Sequence, residues 1–308
     1  MRKKILSIDL LAYGNQRVWE KRKTGKESTA DLYRATLNHL KRYTGSKGLR
    51  PMDVTPVLVI DFADYLRKLE LGGNTVNSYL SCFRALYNSA IGNEWRRSVE
   101  GPFHVVRLRP VETTKRAVSK EVMEQIAGAD LSDSPRLEKA ADLNMFSFMA
   151  CGMAFADMVR LTEDNIREGM IVYKRQKTGV EIRIGITDGM QTLLDKYHSE
   201  EQPYLFPVLK EKDVKHEEYK AYLAGYNDAL ADLSERLGLP AKLTSYVARH
   251  TWASEALRQG IPIAVISQAL GHTSEKTTRF YLALLDQSML NKANLTVSGW
   301  MDSMVGRK

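Results

Sequence analysis

Apolar residues recur at helical spacing through the first third of this chain, and this pattern constrains its fold more than any other feature. Over residues 28–90 they fall into three groups: Tyr33, Leu37 and Leu40; Leu58, Phe62 and Leu66; and Val76, Leu80, Phe83 and Tyr87. Residues three or four apart share one face of an α-helix. The pattern therefore predicts three short amphipathic helices that form a small all-helical domain.

Proline and glycine separate these helices from one another and from the rest of the chain. Thr55-Pro56 has the order of a helix cap and a first-turn residue, and Gly72-Gly73-Asn74 interrupts the chain before the third helix. Residues 101–119 have no helical period and contain prolines, which resist regular structure. At 308 residues the chain is long enough for two domains. We predict four parts: an N-terminal extension over 1–20, a helical domain over 21–100, a linker over 101–118 and a second domain over 119–308.

The second domain is predicted to be mixed but mostly helical. Two β-branched runs, 170–173 and 180–186, flank the basic segment 174–179, and this arrangement predicts a short β-hairpin with a basic turn. Periodicity and capping residues predict the helices: one that begins at Lys120, and others over 136–149, 190–198, 217–237, 244–258, 263–270 and 274–285.

Composition limits the partners and the chemistry. Lys and Arg number 45 against 37 Asp and Glu, and the resulting formal charge of +8 favours a polyanionic partner. Cys82 and Cys151 are isolated, which disfavours a disulfide framework or a metal site and favours a reducing cytoplasm. No apolar run approaches the ~20 residues of a membrane span. We therefore expect no membrane partner. Since phosphate-binding glycine loops, HExxH and GxSxG are missing from the sequence, we also expect no metal and no cofactor.

Reactive side chains are grouped in the last third of the chain. The sequence reads Arg-His-Thr at 249–251, Leu-Gly-His at 270–272 and Thr-Thr-Arg-Phe-Tyr at 277–281. Helical spacing places Tyr246 and Arg249 on one face. In this order and spacing the segments resemble the C-terminal signature of the tyrosine recombinases, the phage-type integrase family.

The resemblance extends over nearly the whole chain from about residue 20. The segment Gly-Met-Ala-Phe-Ala-Asp at 152–157 is similar to the start of the catalytic domain in mobile-element integrases. The resemblance implies a mainly α fold, with a SAM-like core-binding domain followed by a catalytic domain that carries the hairpin. It also implies a site-specific recombinase that cuts and rejoins double-stranded DNA through a 3′-phosphotyrosyl intermediate, without metal or ATP, as a homotetramer on synapsed sites.

Four residues take the family's catalytic roles under this resemblance. Tyr281 becomes the nucleophile, Arg249 and His272 hold the phosphate, and Lys177 protonates the leaving oxygen. These residue types suit the reaction, because a tyrosine of unperturbed pKa about 10 needs an electropositive setting to attack at neutral pH. A guanidinium also presents a planar fork to phosphate oxygens. Lys174 and Arg175 stay open as alternatives to Lys177.

Two positions depart from the family pattern. The first catalytic arginine would fall at 151 or 154, where Cys151 and Ala154 stand, and the usual histidine three residues before the second arginine is Tyr246. A tyrosine can donate a hydrogen bond to phosphate but does not titrate near pH 7. Arg175 is two residues from Lys177, so a continuing strand would direct both side chains to one face. Arg175 is therefore the candidate replacement for the first arginine, and a contact from Arg175 to a backbone phosphate away from the cut stays open as the alternative.

Further DNA contacts are expected from the hairpin turn, through Lys174 and Thr178, and from the helical domain, through Lys41, Arg42 and Arg84. The apolar residues Leu290, Leu295 and Trp300 are expected to dock on a neighbouring protomer. Two other functions stay open: an architectural or regulatory DNA-binding protein that has lost the chemistry, and a type IB topoisomerase-like enzyme that needs no partner site.

Overall fold

The computed structural model describes residues 8–45, 47–98, 101–111, 117–281, 294–298 and 301, with the backbone alone at 93–98, 280 and 281. The chain divides into two compact units, Met1–Thr114 and Lys115–Lys308. Each unit has its own apolar core. Among the described residues, no helix has the length and apolar character that crossing a membrane would require.

The N-terminal unit is built from helices. These are α1 (Leu10–Lys23), α2 (Glu27–Tyr43), α3 (Pro56–Lys68) and α4 (Gly73–Ser98). Thr55 caps α3 as predicted, since its side chain accepts a hydrogen bond from the Leu58 amide. Gly92, at a φ of 74°, breaks the helical path of α4. The three helices that the apolar spacing predicts are thus confirmed as α2, α3 and α4.

Helix α1 was not predicted from the sequence. Its buried face consists of Leu10, Gly14 and Val18, so only two apolar side chains mark it. Gly14 lies against Leu37 of α2, where a Cβ atom would come within 2.4 Å of the leucine side chain. Asp9 caps the helix and also accepts from the amide of Leu49. The chain from Leu10 onward therefore packs inside this unit.

Part of the expected linker also packs on the N-terminal unit. A 3-10 turn over Pro102–Val105 buries Phe103, whose ring centroid lies 5.1 Å from that of Phe83. Asn74 exchanges two hydrogen bonds with the backbone of Val111, and Asn77 donates to the carbonyl of Arg109. An apolar ring and two side-chain amides hold this segment, although its backbone forms no helix or strand over residues 106–111. The predicted domain boundaries, including the extension over 1–20 and the linker over 101–118, stay predictions.

The C-terminal unit is mostly helical, as predicted. Its helices are α5 (Lys120–Ala127), α6 (Pro135–Met149), α7 (Phe155–Met158), α8 (Asp188–Tyr197), α9 (His216–Arg236), α10 (Val247–Arg258), α11 (Ile263–Ala269) and α12 (Glu275–Tyr281). Helix α6 is buried on most of its surface and packs against α5, α8, α9 and α10. A helix surrounded in this way forms the centre of a core rather than one side of it.

A small antiparallel sheet contains the predicted hairpin. Its strands are β1 (Ile166–Arg167), β2 (Met170–Lys174) and β3 (Glu181–Gly185), in the order β1-β2-β3. Ile171 pairs with Ile184 and Tyr173 with Ile182, and all four side chains are buried. The alternation of buried and exposed residues along β3 places the other face of the hairpin in solvent. The hairpin is confirmed, and β1 adds a strand to it.

Candidate active site

Arg249 is the most deeply buried arginine among the residues described, with 2% of its surface exposed. It lies in the first turn of α10, and its side chain spans two other segments of the unit. Nη1 donates to the carbonyl of Gly152 at 2.8 Å, and Nη2 donates to the carbonyl of Leu270 at 2.5 Å. These carbonyls fix the guanidinium in one place, which a buried cation requires.

Gly152 allows its own carbonyl to come within hydrogen-bonding distance of Arg249. Its φ is +68°, and a Cβ atom there would lie 2.7 Å from the Cα of Arg249. The preceding residue, Cys151, is also left-handed, at a φ of 55°. The turn after α6 therefore brings a bare backbone carbonyl against α10, and any side chain at 152 would separate the two.

His272 lies beside Arg249, just after α11. Its Nε2 is 3.2 Å from Nη2 of Arg249, and its Nδ1 is 2.8 Å from the Thr278 hydroxyl on α12. Burial and the positive charges of Arg249, Arg175 and Lys177 lower the pKa of His272 to about 4. The ring is therefore neutral near pH 7 and faces three cations.

Arg175 opens the hairpin turn, and it is buried. Nη1 donates to the carbonyl of Gly271 at 3.0 Å, and the Thr178 hydroxyl donates to the same carbonyl at 3.2 Å. Two side chains of the turn therefore bind the residue immediately before His272. This connection holds the hairpin turn against the segment that carries the imidazole.

Lys177 does not share a face with Arg175, contrary to the expectation from strand geometry. Strand β2 ends at Lys174, and the amide of Gly179 donates to the carbonyl of Arg175, which closes the turn. The alternation of a strand does not extend through such a turn. Arg175 consequently points into the unit at 4% exposure, whereas Lys177 is exposed. Both charges still act on His272.

Asp157 is a residue of this site to which the sequence assigned no role. It lies in the single turn α7, and Oδ1 accepts from the backbone amide of Gln176 in the hairpin turn at 2.8 Å. Oδ2 is 4.0 Å from Nε of Arg175. Burial raises the pKa of Asp157, while the Gln176 amide and neighbouring arginines oppose that rise. Its place in the quoted segment 152–157 was the only sequence signal.

The other predicted site residues are placed as follows. Tyr246 immediately precedes α10, and its ring centroid is 5.6 Å from that of His250. Tyr281 is the last residue of α12, and its side chain lies outside the described part of the chain. Lys174 is exposed and Thr178 half-buried in the turn. Lys41, Arg42 and Arg84 are exposed on the N-terminal unit, and Leu290 and Trp300 lie outside the described residues.

A small helical unit, followed by a larger one with a buried arginine, a neutral histidine and a basic hairpin turn, is the arrangement of a tyrosine recombinase. Family comparison agrees with this assignment. A profile described as "Phage integrase SAM-like domain" matches residues 9–100, and one described as "Phage integrase family" matches residues 116–288. The second match covers more than half of the chain. The protein therefore belongs to the phage integrase family.

Individual relatives are more distant. Tyrosine recombinase XerD of Shewanella oneidensis is 22% identical over 273 residues, which cover 83% of this chain and 85% of that protein. Transposase A from transposon Tn554 of Staphylococcus aureus is 30% identical over 141 residues, or 42% of this chain and 35% of that one.

Solved structures share the fold at lower identity. A lambda integrase dimer bound to a COC′ core site matches with a TM-score of 0.65 at 16% identity, over 90% of this chain and 78% of that one. The Tn1549 transposon integrase in complex with circular intermediate DNA matches with a TM-score of 0.64 at 13% identity, over 93% of this chain and 100% of that one.

Proposed function

We propose that this protein is a site-specific DNA recombinase that breaks and rejoins DNA through a phosphotyrosine. One observation carries the proposal. Arg249 and His272 are in contact, and the Thr278 hydroxyl connects His272 to the helix that ends at Tyr281. Ligands for a phosphate thus lie beside the segment that bears a tyrosine.

The proposed chemistry uses side chains alone. Tyr281 loses its phenolic proton to water as its oxygen attacks the phosphorus, the bond from this oxygen to phosphorus forms, and the bond from phosphorus to the 5′ oxygen breaks. Arg249 and His272 hold the non-bridging oxygens, where negative charge increases in the transition state. Lys177, exposed at the tip of the turn, gives its proton to the leaving 5′ oxygen. The phosphotyrosyl bond keeps the energy of the broken bond, so a 5′ hydroxyl of another strand can attack it without ATP.

Arg175 supplies, in this proposal, the charge that the family's first arginine would supply. Cys151 and Ala154 cannot do so, because neither carries a positive charge. Two facts support Arg175: its side chain contacts the residue before His272, and its charge lowers the pKa of the imidazole. A cation that acts on His272 is close enough to act on a phosphate that His272 binds.

The proposed partner is double-stranded DNA at specific recombination sites. Lys174 and Thr178 of the turn, and Lys41, Arg42 and Arg84 of the N-terminal unit, are proposed contacts to its backbone. Lambda integrase has been solved as a tetramer bound to a Holliday junction, and we propose a homotetramer on paired sites here. Leu295 and Val297 support such an assembly, because both apolar side chains are mostly exposed. We assign the activity to the cytoplasm, where its DNA would lie.

A nicked duplex tests the proposal, because cleavage near the nick releases a short strand and traps the covalent adduct. We expect wild-type protein to form an adduct that resists denaturant and to exchange strands with a second site. Tyr281→Phe should bind the duplex normally and form no adduct, whereas the control Tyr222→Phe, a half-buried tyrosine of α9, should form it. Adduct formation by Tyr281→Phe would exclude the proposed nucleophile.

The same assay separates the rival functions. An adduct with relaxation of supercoils but without exchange would indicate a topoisomerase-like enzyme. Tight binding with no adduct in the wild type would indicate a DNA-binding factor without chemistry.

A further inference from the structure

A buried hydroxyl connects the imidazole of the site to the helix of the nucleophile. Thr278 has no exposed surface, and its Oγ1 is 2.8 Å from Nδ1 of His272. It lies three residues, or one helical turn, before Tyr281 on α12. The opposite edge of the same ring faces Arg249, with Nε2 at 3.2 Å from Nη2. The imidazole therefore lies between a hydroxyl and a guanidinium.

Arg249 determines which nitrogen of the DNA-free ring carries the proton. A guanidinium has only donors, so Nε2 accepts the contact with Arg249. Burial and the charges of Arg249, Arg175 and Lys177 keep the ring neutral near pH 7, because they lower the pKa of His272 to about 4. A neutral imidazole with an accepting Nε2 has its single proton on Nδ1. In this state Nδ1 donates to the oxygen of Thr278.

Phosphate binding requires the other arrangement. A non-bridging phosphate oxygen is an acceptor, so His272 can hold it only by donating from Nε2. The neutral ring then has no proton on Nδ1, which becomes an acceptor. A hydroxyl is both donor and acceptor, so it can satisfy Nδ1 in either state by rotating its hydrogen. A carbonyl or carboxylate partner would favour only the first state.

We propose that Thr278 is a positioning residue whose hydroxyl holds the neutral His272 ring in both tautomers. The hydroxyl thereby lets Nε2 change from accepting Arg249 to donating to a DNA phosphate. The net change moves one proton from Nδ1 to Nε2 by exchange with water, and the charge of the ring stays the same. Since Thr278 and Tyr281 share one helix, the contact also ties the position of that helix to the ring. This inference rests on the proposed recombinase function for the role of His272.

Cleavage kinetics test the hydroxyl separately from the shape of the residue. Thr278→Val keeps the branched side chain and removes the oxygen, whereas Thr278→Ser keeps the oxygen. Thr277→Val is the matched control, because Thr277 is the adjacent, exposed threonine of the same helix. We expect Thr278→Val to cleave a saturated nicked duplex about 100-fold more slowly with unchanged affinity, which is the scale of a misplaced proton donor. Thr278→Ser should stay within about threefold of wild type on the same scale.

Two outcomes of the kinetics would overturn the inference. One is wild-type cleavage by Thr278→Val, and the other is an equal loss in the valine and serine variants, which would indicate packing instead of hydrogen bonding. A thermal denaturation curve for each variant identifies any loss that is due to unfolding.

Nitrogen NMR of the imidazoles in the DNA-free protein provides a readout that needs no activity. The chain has six histidines, and the signal of His272 is assigned by its absence from His272→Gln. We expect the proton on Nδ1 in all three proteins, because Arg249 keeps Nε2 an acceptor. In Thr278→Val this proton should exchange with water faster than in wild type or Thr278→Ser, because the hydroxyl that accepts its hydrogen bond is missing. Equal exchange of the Nδ1 proton in Thr278→Val and wild type would contradict the inference. Adduct formation by Tyr281→Phe would instead contradict the proposed function and leave these spectra interpretable.

Discussion

A Cβ atom at position 152 would lie 2.7 Å from the Cα of Arg249, which is closer than packed atoms approach. The neighbouring atom belongs to the backbone of α10, so it cannot move aside as a flexible side chain could. The φ of +68° is in addition a conformation that only glycine adopts at low cost. Position 152 therefore combines a steric and a conformational requirement for glycine.

A pair of glycine substitutions separates these two requirements. Gly169 has a φ of +72°, but no atom lies within 4 Å of the point that a Cβ would occupy, so Gly169→Ala carries only the conformational cost, about 1 kcal/mol. We expect Gly152→Ala to destabilise the protein by about 3 kcal/mol or more, because the overpacking is added. Denaturant unfolding of both variants measures the difference. Equal unfolding midpoints for Gly152→Ala and Gly169→Ala would show that α10 moves away from the new methyl group at no cost in stability.

Substitution of Arg175 tests its proposed catalytic charge at the scale of one residue. Arg175→Met keeps much of the aliphatic stem that packs beside Gly271 and removes the charge. We expect at least ~100-fold slower cleavage of a saturated nicked duplex with nearly unchanged affinity, because a transition-state contact affects rate rather than binding. Adding Cys151→Arg should restore part of the rate.

The control for this experiment is Arg183→Ala, which removes an exposed arginine of β3 that pairs with Glu181. It should cleave at the wild-type rate. Weak binding by Arg175→Met together with normal cleavage at saturation would identify Arg175 as a DNA-backbone contact away from the cut.

At the scale of elements, periodic segments could be predicted from the sequence and irregular ones could not. The helices α2 to α4 and the hairpin have apolar residues at regular intervals, and the structure contains them. The apolar spacing does not predict helix α1, because a glycine takes the place of an apolar side chain on its buried face. The positions of Arg175 and Asp157 depend on where β2 ends and on hydrogen bonds to backbone amides. The spacing of residues in the sequence predicts neither the end of a strand nor a hydrogen bond to a backbone amide.

The aromatic contact between α2, α3 and α4 should make the N-terminal unit sensitive to acid. His39 packs against Tyr65 and Tyr79, and its Nδ1 is buried with no hydrogen-bond partner among the described residues. Burial and the charge of Arg42 lower the pKa of His39. A histidine whose pKa is lowered by folding stabilises the protein above its unfolded pKa, about 6.5, and this contribution is lost as the pH falls below that value.

Denaturant midpoints measured at about pH 7.5 and about pH 5.5 test whether stability falls with pH as expected, since the two pH values lie on either side of the unfolded pKa of histidine. We expect His39→Gln to lose less stability than wild type when the pH is lowered from the higher to the lower value. His198→Gln is the control, because His198 is exposed on the other unit. The same pH dependence in wild type and His39→Gln would mean that other groups cause the acid sensitivity.

At the scale of the whole molecule, the exposed apolar residues near the C-terminus bear on assembly. Residues 294–298 are helical, and Leu295 and Val297 are 64% and 73% exposed. We expect Leu295→Ser combined with Val297→Ser, or truncation after Asn291, to weaken pairing of two sites more than binding to one site. Gel-shift titrations of single and paired sites measure this.

Val57 provides the matched control for these substitutions. It is an apolar residue of α3 with 65% exposure, and Val57→Ser should affect neither titration. Equal losses on single and paired sites in the C-terminal variants would mean that this segment stabilises its own unit.

Arg249 joins parts of the chain that are distant in sequence. The carbonyls it binds are 97 and 21 residues away, and the contact between Arg175 and Gly271 spans 96 residues. Contacts that close loops of this size form late in folding, because the chain must lose conformational entropy to close the loop before it gains the contact. A chain still leaving the ribosome cannot assemble this cluster until residues 270–272 have been synthesised and have folded back. A chain that ends before residue 270 therefore lacks the carbonyls that hold Arg249 and Arg175, and we expect it to cleave no DNA.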